Sequence, residues 1–177
     1  MIIGLVGNKR VGKDTCADYL VYTHNFKKYS FAIYLKQALK ILFDWDDASF
    51  NDGNKEVVDT YWNITPRQMC QDLGSFLRNF NKNFHINRLD KDIKKINNAN
   101  IVFSDIRYQN ELDYVKSLGG VIIKINRNTV LNEFSNHESE TSINNLTGID
   151  SYIINNGTLD ILYSNLNNII LMNKLSK

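Results

Sequence analysis

Short apolar runs alternate along the chain with longer segments in which apolar residues recur at helical spacing. The runs are rich in Ile and Val, a pattern typical of parallel strands that are buried on both faces. The candidate strands are 2–6, 101–103, 121–125 and 152–154, with a weaker fifth run at 29–31. The pattern therefore predicts a sheet built from strands that are distant in sequence.

Helices are predicted between these runs. The segment 108–118, for example, carries Leu112, Val115 and Leu118 on one face. The other candidate helices are 13–22, 32–43, 65–78 and 158–172. An alternation of strand and helix within one domain predicts an α/β sheet that is covered on both faces, in which ligands bind beyond the carboxyl ends of the strands.

Two polar segments interrupt this alternation. Residues 44–63 contain Asp52-Gly53 and predict a loop or flap, whereas residues 126–148 lack strong periodicity and predict a mobile lid. With 177 residues, 43% of them apolar, the chain has enough apolar surface for a sizeable core. We therefore expect one domain over residues 1–177.

Composition and charge exclude several classes of protein. No apolar run approaches the ~20 residues that a membrane span needs, and a formal charge of +2 is too small to indicate a polymeric nucleic acid as partner. The two cysteines, Cys16 and Cys70, form neither a metal-ligand pattern nor a disulfide framework, which fits a reducing compartment. We expect a cytoplasmic protein without a membrane or nucleic-acid partner.

The most informative motif is GNKRVGKDT at residues 7–15, which matches G-x-x-x-x-G-K. It follows the first candidate strand and opens the first helix, an arrangement that turns backbone N–H groups and a helix N-terminus toward a phosphate. Gly7 and Gly12 let the backbone approach the anion closely, and Lys13 can reach the β- and γ-phosphates of a nucleotide. The motif predicts a site for a nucleotide phosphate.

Four other side chains of this loop are candidates for the same site. Lys9 and Arg10 add local positive charge. Asp14 stands where the usual motif has Ser or Thr, so its carboxylate is a candidate Mg²⁺ ligand, either directly or through water. The alternative for Asp14 is an ordinary negative charge at a helix N-terminus. Thr15, one position later, is a candidate phosphate contact.

The helix predicted at 65–78 carries a polar stripe. Thr65 is a candidate N-cap, with Pro66 at the first helical position. At about 100° per residue, one side of this helix is polar and faces outward, and the opposite side is apolar and packs on the sheet. The polar stripe consists of Arg67, Gln71, Gly74 and Arg78, and the apolar stripe of Met69, Leu73, Phe76 and Phe80. Paired arginines suit bidentate phosphate binding, so the stripe predicts an acceptor-phosphate site; a solvated helix face is the alternative.

A second charged pair follows the strand at 101–103. Asp105 can orient the attacking group or Mg²⁺-bound water, and Arg107 can bind a phosphate. A helix cap and a surface charge are the alternatives for these two residues. Glu111, one helical turn after Arg107, is predicted to hold that guanidinium in place.

The remaining candidates follow the last two strands. Arg127 begins the predicted lid, where an arginine can neutralise a phosphoryl group in transfer. His137 lies within the lid, and both a catalytic and a solvent-exposed role are open for it. Asn155 and Asn156 are expected beside the glycine loop, where they either bind a nucleobase or form only a turn before the last helix.

Several of these segments together resemble the deoxynucleoside monophosphate kinases of bacteriophages and large DNA viruses. The most specific are the loop KRVGKDT and the D-x-R-x-x-x-E block that begins at Asp105. FAIYLKQAL, TPRQMCQDLGSFLR, HESE and IINNGTLDIL support the resemblance, and the matches follow in order across nearly the whole chain.

The resemblance implies a P-loop kinase fold, a three-layer α/β/α structure with a five-stranded parallel sheet. It also implies ATP- and Mg²⁺-dependent phosphorylation of a (deoxy)nucleoside monophosphate, with Lys13 and its loop on the donor phosphates. The residues that it assigns to the acceptor side are Lys36, Arg67, Gln71, Arg78, Asp105 and Arg107, the last two binding either the acceptor phosphate or the metal.

The chain departs from this family in two places. Tyr34 stands where its members usually have Pro, and 44–63 is shorter than the central insertion of some of them. Both departures concern the base preference of the acceptor site. Two alternative functions stay open: another small-molecule P-loop kinase, acting on dephospho-coenzyme A or phosphomevalonate, and a nucleotide-binding module without transfer activity. A homodimer is compatible with the sequence, which does not determine the oligomeric state.

Overall fold

The computed structural model describes residues 1–97, 99–128 and 142–175. The chain packs into two compact units. The first, the sheet unit, comprises Met1–Ser30 and the described part of Asn98–Lys177. The second, the helical unit, comprises Phe31–Asn97.

Five parallel strands form the sheet unit. They are β1 (Ile2–Val6), β2 (Phe26–Tyr29), β3 (Asn100–Ile106), β4 (Val121–Asn126) and β5 (Ser151–Ile154). Their order is β2-β3-β1-β4-β5, and all four neighbouring pairs are parallel. The predicted five-stranded parallel sheet is confirmed, although the weakest predicted strand is displaced: β2 ends at Tyr29. Because β2 is an edge strand with Lys27 and Lys28 exposed, its apolar pattern is interrupted.

Helices pack on both faces of this sheet, as predicted. On one face α1 (Lys13–His24) and α6 (Leu159–Leu175) bury Ala17, Leu20 and Leu166 against β1, β3, β4 and β5. The other face is packed by α5 (Gln109–Ser117). The side chains of both Ile106 and Val115 lie where a Cβ on Gly4 of β1 would be. The glycine thus lets α5 approach the sheet closely.

Three helices form the helical unit: α2 (Ile33–Phe43), α3 (Pro66–Phe80) and α4 (Phe84–Ile93). Their small core consists of Leu35, Leu39 and Trp45, against which side chains of α3 pack. The predicted loop at 44–63 contains one 3₁₀ turn, Ala48–Phe50, and an isolated bridge from Asp59 to Ile64. The sequence had not predicted α4 as a separate element.

The predicted lid lies mostly outside the described residues. Of 126–148, the structure describes the segment up to Asn128 and the one from Ser142 onward, which includes a 3₁₀ turn at Ser142–Asn145. His137 falls outside these segments. The lid therefore stays a prediction. The single domain over 1–177 also stays a prediction. Within the described helices, no segment is both long and apolar enough to span a bilayer.

Candidate active site

The glycine loop joins β1 to α1 through backbone conformations that favour glycine. Gly7 has φ 152° and Gly12 has φ 104°, and Arg10 between them also has positive φ, 63°. A Cβ on Gly7 would overlap the carbonyl oxygen of Ile125 in β4. Both the positive φ and the close approach of β4 therefore require the absence of a side chain at Gly7.

Asn155 supports the far end of this loop. Its side chain is buried, with 8% exposed, and its amide nitrogen donates to the carbonyl oxygen of Val11 at 2.9 Å. A Cβ on Gly12 would lie 2.6 Å from the same nitrogen. Asn155 thus lies beside the glycine loop, as expected from its position after β5. In this structure its amide braces the loop backbone.

Lys13 lies at the mouth of the loop. Its ammonium donates to the carbonyl oxygens of Gly7 and Asn8, both at 2.7 Å. Lys13 is also the first residue of α1, where the free N–H groups and the helix dipole favour an anion. Of the neighbouring candidates, Lys9 and Thr15 are partly exposed and Arg10 is exposed. The loop therefore presents positive charge to solvent at a helix N-terminus.

Asp14 faces a lysine of β2. Its carboxylate is 79% exposed and lies 2.9 Å from the ammonium of Lys28, which lies at the same distance from Asp18. Burial lowers the pKa of Lys28, but the hydrogen bonds to Asp18 and Asp14 outweigh burial and hold that pKa above its ordinary value. The charged lysine thus neutralises part of the acidic charge beside the loop. Sequence reasoning did not identify Lys28.

Asp105 lies near the carboxyl end of β3, next to β1 in the sheet. Its carboxylate accepts a hydrogen bond from the hydroxyl of Ser30 at 2.5 Å. Ser30 directly follows β2, so this contact joins the ends of two neighbouring strands. Sequence reasoning missed Ser30, whose partner is 75 positions away and leaves no local signal.

Arg107 begins the turn from β3 to α5, and Glu111 holds the backbone of this turn. The buried carboxylate of Glu111, 3% exposed, accepts from the backbone N–H of Arg107 at 2.9 Å and from that of Tyr108 at 3.2 Å. The carbonyl oxygen of Arg107 accepts from the hydroxyl of Ser142 at 2.8 Å. These contacts position Arg107 beside the end of β3.

The other two candidates of the sheet unit follow β4 and β5. Arg127 is exposed and directly follows β4. The side-chain oxygen of Asn156 accepts from the backbone N–H of Asn128 at 2.9 Å, which ties the ends of the two strands together. The carboxyl ends of β3, β1, β4 and β5 are adjacent in the strand order, and they bring the sheet-unit candidates to one edge.

The predicted orientation of α3 was wrong for half of the apolar stripe: Met69 and Leu73 lie on the packed side, but Phe76 and Phe80 do not. Phe76 and Phe80, expected to be buried, are 67% and 80% exposed, whereas Gly74 of the polar stripe is buried. Met69, Leu73 and Leu77 pack against the core of the helical unit. The periodicity defines two stripes but does not say where the neighbouring helices lie, and here they lie against the side that includes Gly74. Thr65 caps the helix as predicted, accepting from the N–H of Gln68 at 3.0 Å.

The cations of α3 are therefore partly buried within the helical unit. The side chain of Arg67 is 15% exposed and forms an ion pair with Glu56 at 3.2 Å. Gln71 and Arg78 are also partly exposed. Glu56, in the segment between α2 and α3, had not been identified as part of this region.

Lys36 of α2 contributes to the same region. Its ammonium lies 5.8 Å from the centroid of the Phe50 ring, within range of a cation–π interaction. Burial raises the pKa of the Cys70 thiol, and the charges of Lys36 and Arg67 partly oppose that shift. Both cations therefore lie close enough to Cys70 to influence its titration. We call Lys36, Arg67, Gln71 and Arg78 the basic cluster of the helical unit.

Tyr34 of α2 contacts α4. The central carbon of the Arg88 guanidinium lies 3.6 Å from the centroid of the Tyr34 ring. The hydroxyl of Tyr34 donates a hydrogen bond to the carboxylate of Asp92. The guanidinium of Arg88 also lies 2.8 Å from the carboxylate of Asp92. Hydrogen bonds from Tyr34 and Arg88 hold the pKa of Asp92 well below its ordinary value. Tyr34 thus connects α2 to α4.

Comparisons with known proteins agree on one family. The family model for deoxynucleotide monophosphate kinases matches residues 1–56 and 45–166. A putative deoxynucleotide monophosphate kinase of Acanthamoeba polyphaga mimivirus is 36% identical over 180 residues, which is 93% of this chain and 93% of that protein.

Two solved structures share the fold. Shikimate kinase from Aquifex aeolicus has a TM-score of 0.51 at 15% identity, with all of both chains covered. TT1252 from Thermus thermophilus has a TM-score of 0.52 at 14% identity, with 97% of both chains covered. At these identities the structures show the fold alone, whereas the family match and the viral relative cover most of the sequence. The chain belongs to the deoxynucleotide monophosphate kinase family, whose members are phosphotransferases.

Proposed function

We propose that this protein transfers the γ-phosphoryl group of ATP to the phosphate of a deoxynucleoside monophosphate. The bond between the γ-phosphorus and the oxygen that bridges it to the β-phosphate breaks, and a bond from that phosphorus to an acceptor phosphate oxygen forms. The products are ADP, which keeps the bridging oxygen, and a deoxynucleoside diphosphate. The glycine loop carries this proposal, because its positive-φ backbone leads into the N-terminus of α1 with Lys13 at its mouth.

On the donor side, the loop N–H groups and the ammonium of Lys13 would bind the β- and γ-phosphates of ATP. In this structure the ammonium of Lys13 donates to two carbonyl oxygens of the loop. Because these acceptors are neutral and phosphate oxygens are charged, the ammonium would form stronger hydrogen bonds with a triphosphate. The hydrogen bond from Asn155 to the carbonyl oxygen of Val11 would hold the loop backbone in place for such binding.

Oxygen ligands suited to Mg²⁺ are present beside this loop. Mg²⁺ commonly uses one or two protein oxygens together with substrate phosphates and water, and bound Mg²⁺ supplies charge neutralisation at the phosphates. Asp14 and Asp105 are the residues that would provide those oxygens, and Thr15 would contact a phosphate. Within residues 1–97, 99–128 and 142–175, no group of three or more His, Cys, Asp or Glu side chains forms a potential metal cage, so ATP phosphates would complete the coordination.

On the acceptor side, the basic cluster would bind the monophosphate. Arg67 and Arg78 offer planar guanidinium groups for bidentate contacts, and Lys36 adds a point charge. The ion pair of Arg67 with the carboxylate of Glu56, at 3.2 Å, supports this role, because the guanidinium is already turned toward an anion. Gln71 supplies an amide that can donate to a phosphate or base.

Charge neutralisation, rather than a covalent intermediate, would accelerate transfer. The acceptor phosphate oxygen is itself the nucleophile, so the enzyme needs to orient it in line with the γ-phosphorus and to stabilise the negative charge. Asp105, Arg107 and Arg127 are the candidates for this step.

We further place the activity in the cytoplasm, that of the host for a viral enzyme, where ATP and free nucleotides are available.

The test is a coupled assay of ADP formation with each of the common deoxynucleoside and nucleoside monophosphates. We expect acceptor-dependent ADP formation with at least one deoxynucleoside monophosphate, and a diphosphate product of matching amount. Folded protein that forms no ADP with any monophosphate would exclude the proposal. Dephospho-coenzyme A and phosphomevalonate belong in the same panel, since turnover with one of them alone would identify a different acceptor for the same donor loop.

A further inference from the structure

Gly74 occupies the interior of α3, where glycine is disfavoured relative to alanine. The residue is buried, and its φ is not in the left-handed region that favours glycine. Helix backbone geometry therefore gives no reason for a glycine here. The reason has to lie in the space around its Cα atom.

Three side chains occupy that space. A Cβ on Gly74 would lie 3.2 Å from a terminal guanidinium nitrogen of Arg78, 3.4 Å from a methyl carbon of Leu35 and 4.0 Å from Nε2 of His85. Side chains of a helix lean toward its N-terminus, so that a long side chain at position i+4 lies over residue i. The guanidinium of Arg78 thus lies back over Gly74, and the side chains of Leu35 and His85 lie around the same position.

We propose that Gly74 is a positioning residue for Arg78: the missing side chain lets the guanidinium lie against α3, and this sets the position from which it binds the acceptor phosphate. The inference rests on the proposed function, specifically on Arg78 as an acceptor-binding residue. It assigns to Gly74 a role in acceptor affinity and none in donor binding.

The packing predicts which neighbour moves when a methyl group is added. Leu35 is buried in the core of the helical unit, so its side chain has little room to shift. Arg78 has a long, flexible side chain whose end is the nearest atom, so the guanidinium is displaced first. A shift of a few tenths of an ångström is enough to relieve the contact, and it worsens the alignment on which bidentate phosphate contacts depend. Gly74→Ala should therefore leave the fold intact and weaken acceptor binding.

The experiment compares Gly74→Ala with the wild type in unfolding and steady-state kinetics. We expect a melting temperature that is unchanged or higher, because alanine favours the helix, together with a KM for the monophosphate raised by about 2- to 10-fold. The KM for ATP should stay within about twofold, as expected for a residue that acts only on the acceptor. Asn79→Ala is the matched control, because Asn79 is exposed on the same helix. We expect this change to leave both the KM for ATP and the KM for the monophosphate unaltered.

A double-mutant cycle tests whether the effect passes through Arg78. In an Arg78→Ala background, Gly74→Ala should raise the acceptor KM no further. An equal increase in both backgrounds would overturn the inference, and so would a lowered melting temperature with an unchanged acceptor KM. Monophosphate binding measured by calorimetry without ATP provides the same comparison independently of turnover.

Failure of the inference and failure of the proposed function give different results. Normal wild-type turnover combined with an unchanged acceptor KM in Gly74→Ala overturns only the role of Gly74. A folded wild-type protein that phosphorylates none of the monophosphates removes the proposed function, and the inference is rejected with it.

Discussion

The glycine loop and α3 both carry cations of the proposed phosphate sites, but they position these cations in different ways. In the loop, the backbone provides the geometry: Gly7 and Gly12 have positive φ, and the N–H groups lead directly into α1. In α3 the cations are the ends of long side chains, whose positions depend on Glu56 and on the space over Gly74. A site made by the backbone can be recognised from a few adjacent residues, whereas a site made by long side chains depends on its packing partners.

The two regions also differ in what holds them. Buried polar contacts brace the loop, such as the hydrogen bond from Asn155 to the carbonyl of Val11. The ion pair of Arg67 with Glu56 is only partly buried, since Glu56 is 44% exposed. We therefore expect substitutions around the loop to lower the free energy of unfolding more than those around α3 do.

Lys13→Ala should have the largest effect on turnover. Removing the ammonium leaves the charge that develops on the transferring group without a partner, and we expect kcat/KM to fall by about 10³-fold. Circular dichroism and the melting temperature should be close to those of the wild type, because Lys13 is partly exposed. Lys27→Ala is the control for the loss of a positive charge in the sheet unit. Activity that survives in Lys13→Ala would reject the role of this lysine.

Gly7→Ala should have the largest effect on stability. The methyl group would overlap the carbonyl oxygen of Ile125 at a positive φ, and strain and overlap together should cost about 2–4 kcal/mol in the free energy of unfolding. Gly119→Ala separates the two causes, because Gly119 also has positive φ, 74°, but no atom lies within 4 Å of its Cβ position. For that variant we expect about 1–2 kcal/mol. If urea denaturation shows the same loss in the free energy of unfolding for Gly7→Ala and Gly119→Ala, the close approach of β4 to Gly7 is unimportant.

Asn155→Ala should weaken the loop rather than the whole fold. The carbonyl of Val11 loses a buried hydrogen bond, which should cost about 1–2 kcal/mol. Part of that loss should appear as an ATP dissociation constant raised by about three- to tenfold in calorimetry. Asn173→Ala is the matched control, because its amide donates to a carbonyl oxygen at 2.8 Å within α6. An ATP affinity that is equal in the two variants would argue against the bracing role of Asn155.

Glu56→Gln should have the smallest effect, and it tests α3. Neutralising this carboxylate removes an anion that competes with the acceptor phosphate for Arg67, so we expect the acceptor KM to fall by about two- to fivefold. The change should shrink at high salt, since the pair is partly exposed. Asp47→Asn removes the same charge from an ion pair with Lys40 and should leave the acceptor KM unchanged. A higher KM in Glu56→Gln would mean that Glu56 orients Arg67 for its substrate.

Much of the sheet unit could be predicted from its sequence. β1, β3 and β4 are buried on both faces, and such strands appear as nearly continuous apolar runs. The edge strand β2 was displaced because Lys27 and Lys28 point to solvent. α4 was missed because it is short and its charged residues are interspersed with the apolar ones, although Ile86, Leu89 and Ile93 follow helical spacing and are buried. Prediction therefore succeeded where burial on both sides leaves little choice of residue.

The sequence by itself determined most strands and helices of the α/β fold, the glycine loop, and the Thr65 cap of α3, because each depends on residues within about one helical turn or one strand. The alternation of these elements along the chain then indicated the parallel sheet. Only the tertiary structure decided which side of α3 is buried and which partners bind Asp14 and Asn155. Those contacts join residues far apart in the chain, and Asn155 lies 144 positions from Val11. Local periodicity reports which residues share a face, but the packing of neighbouring elements decides what that face meets.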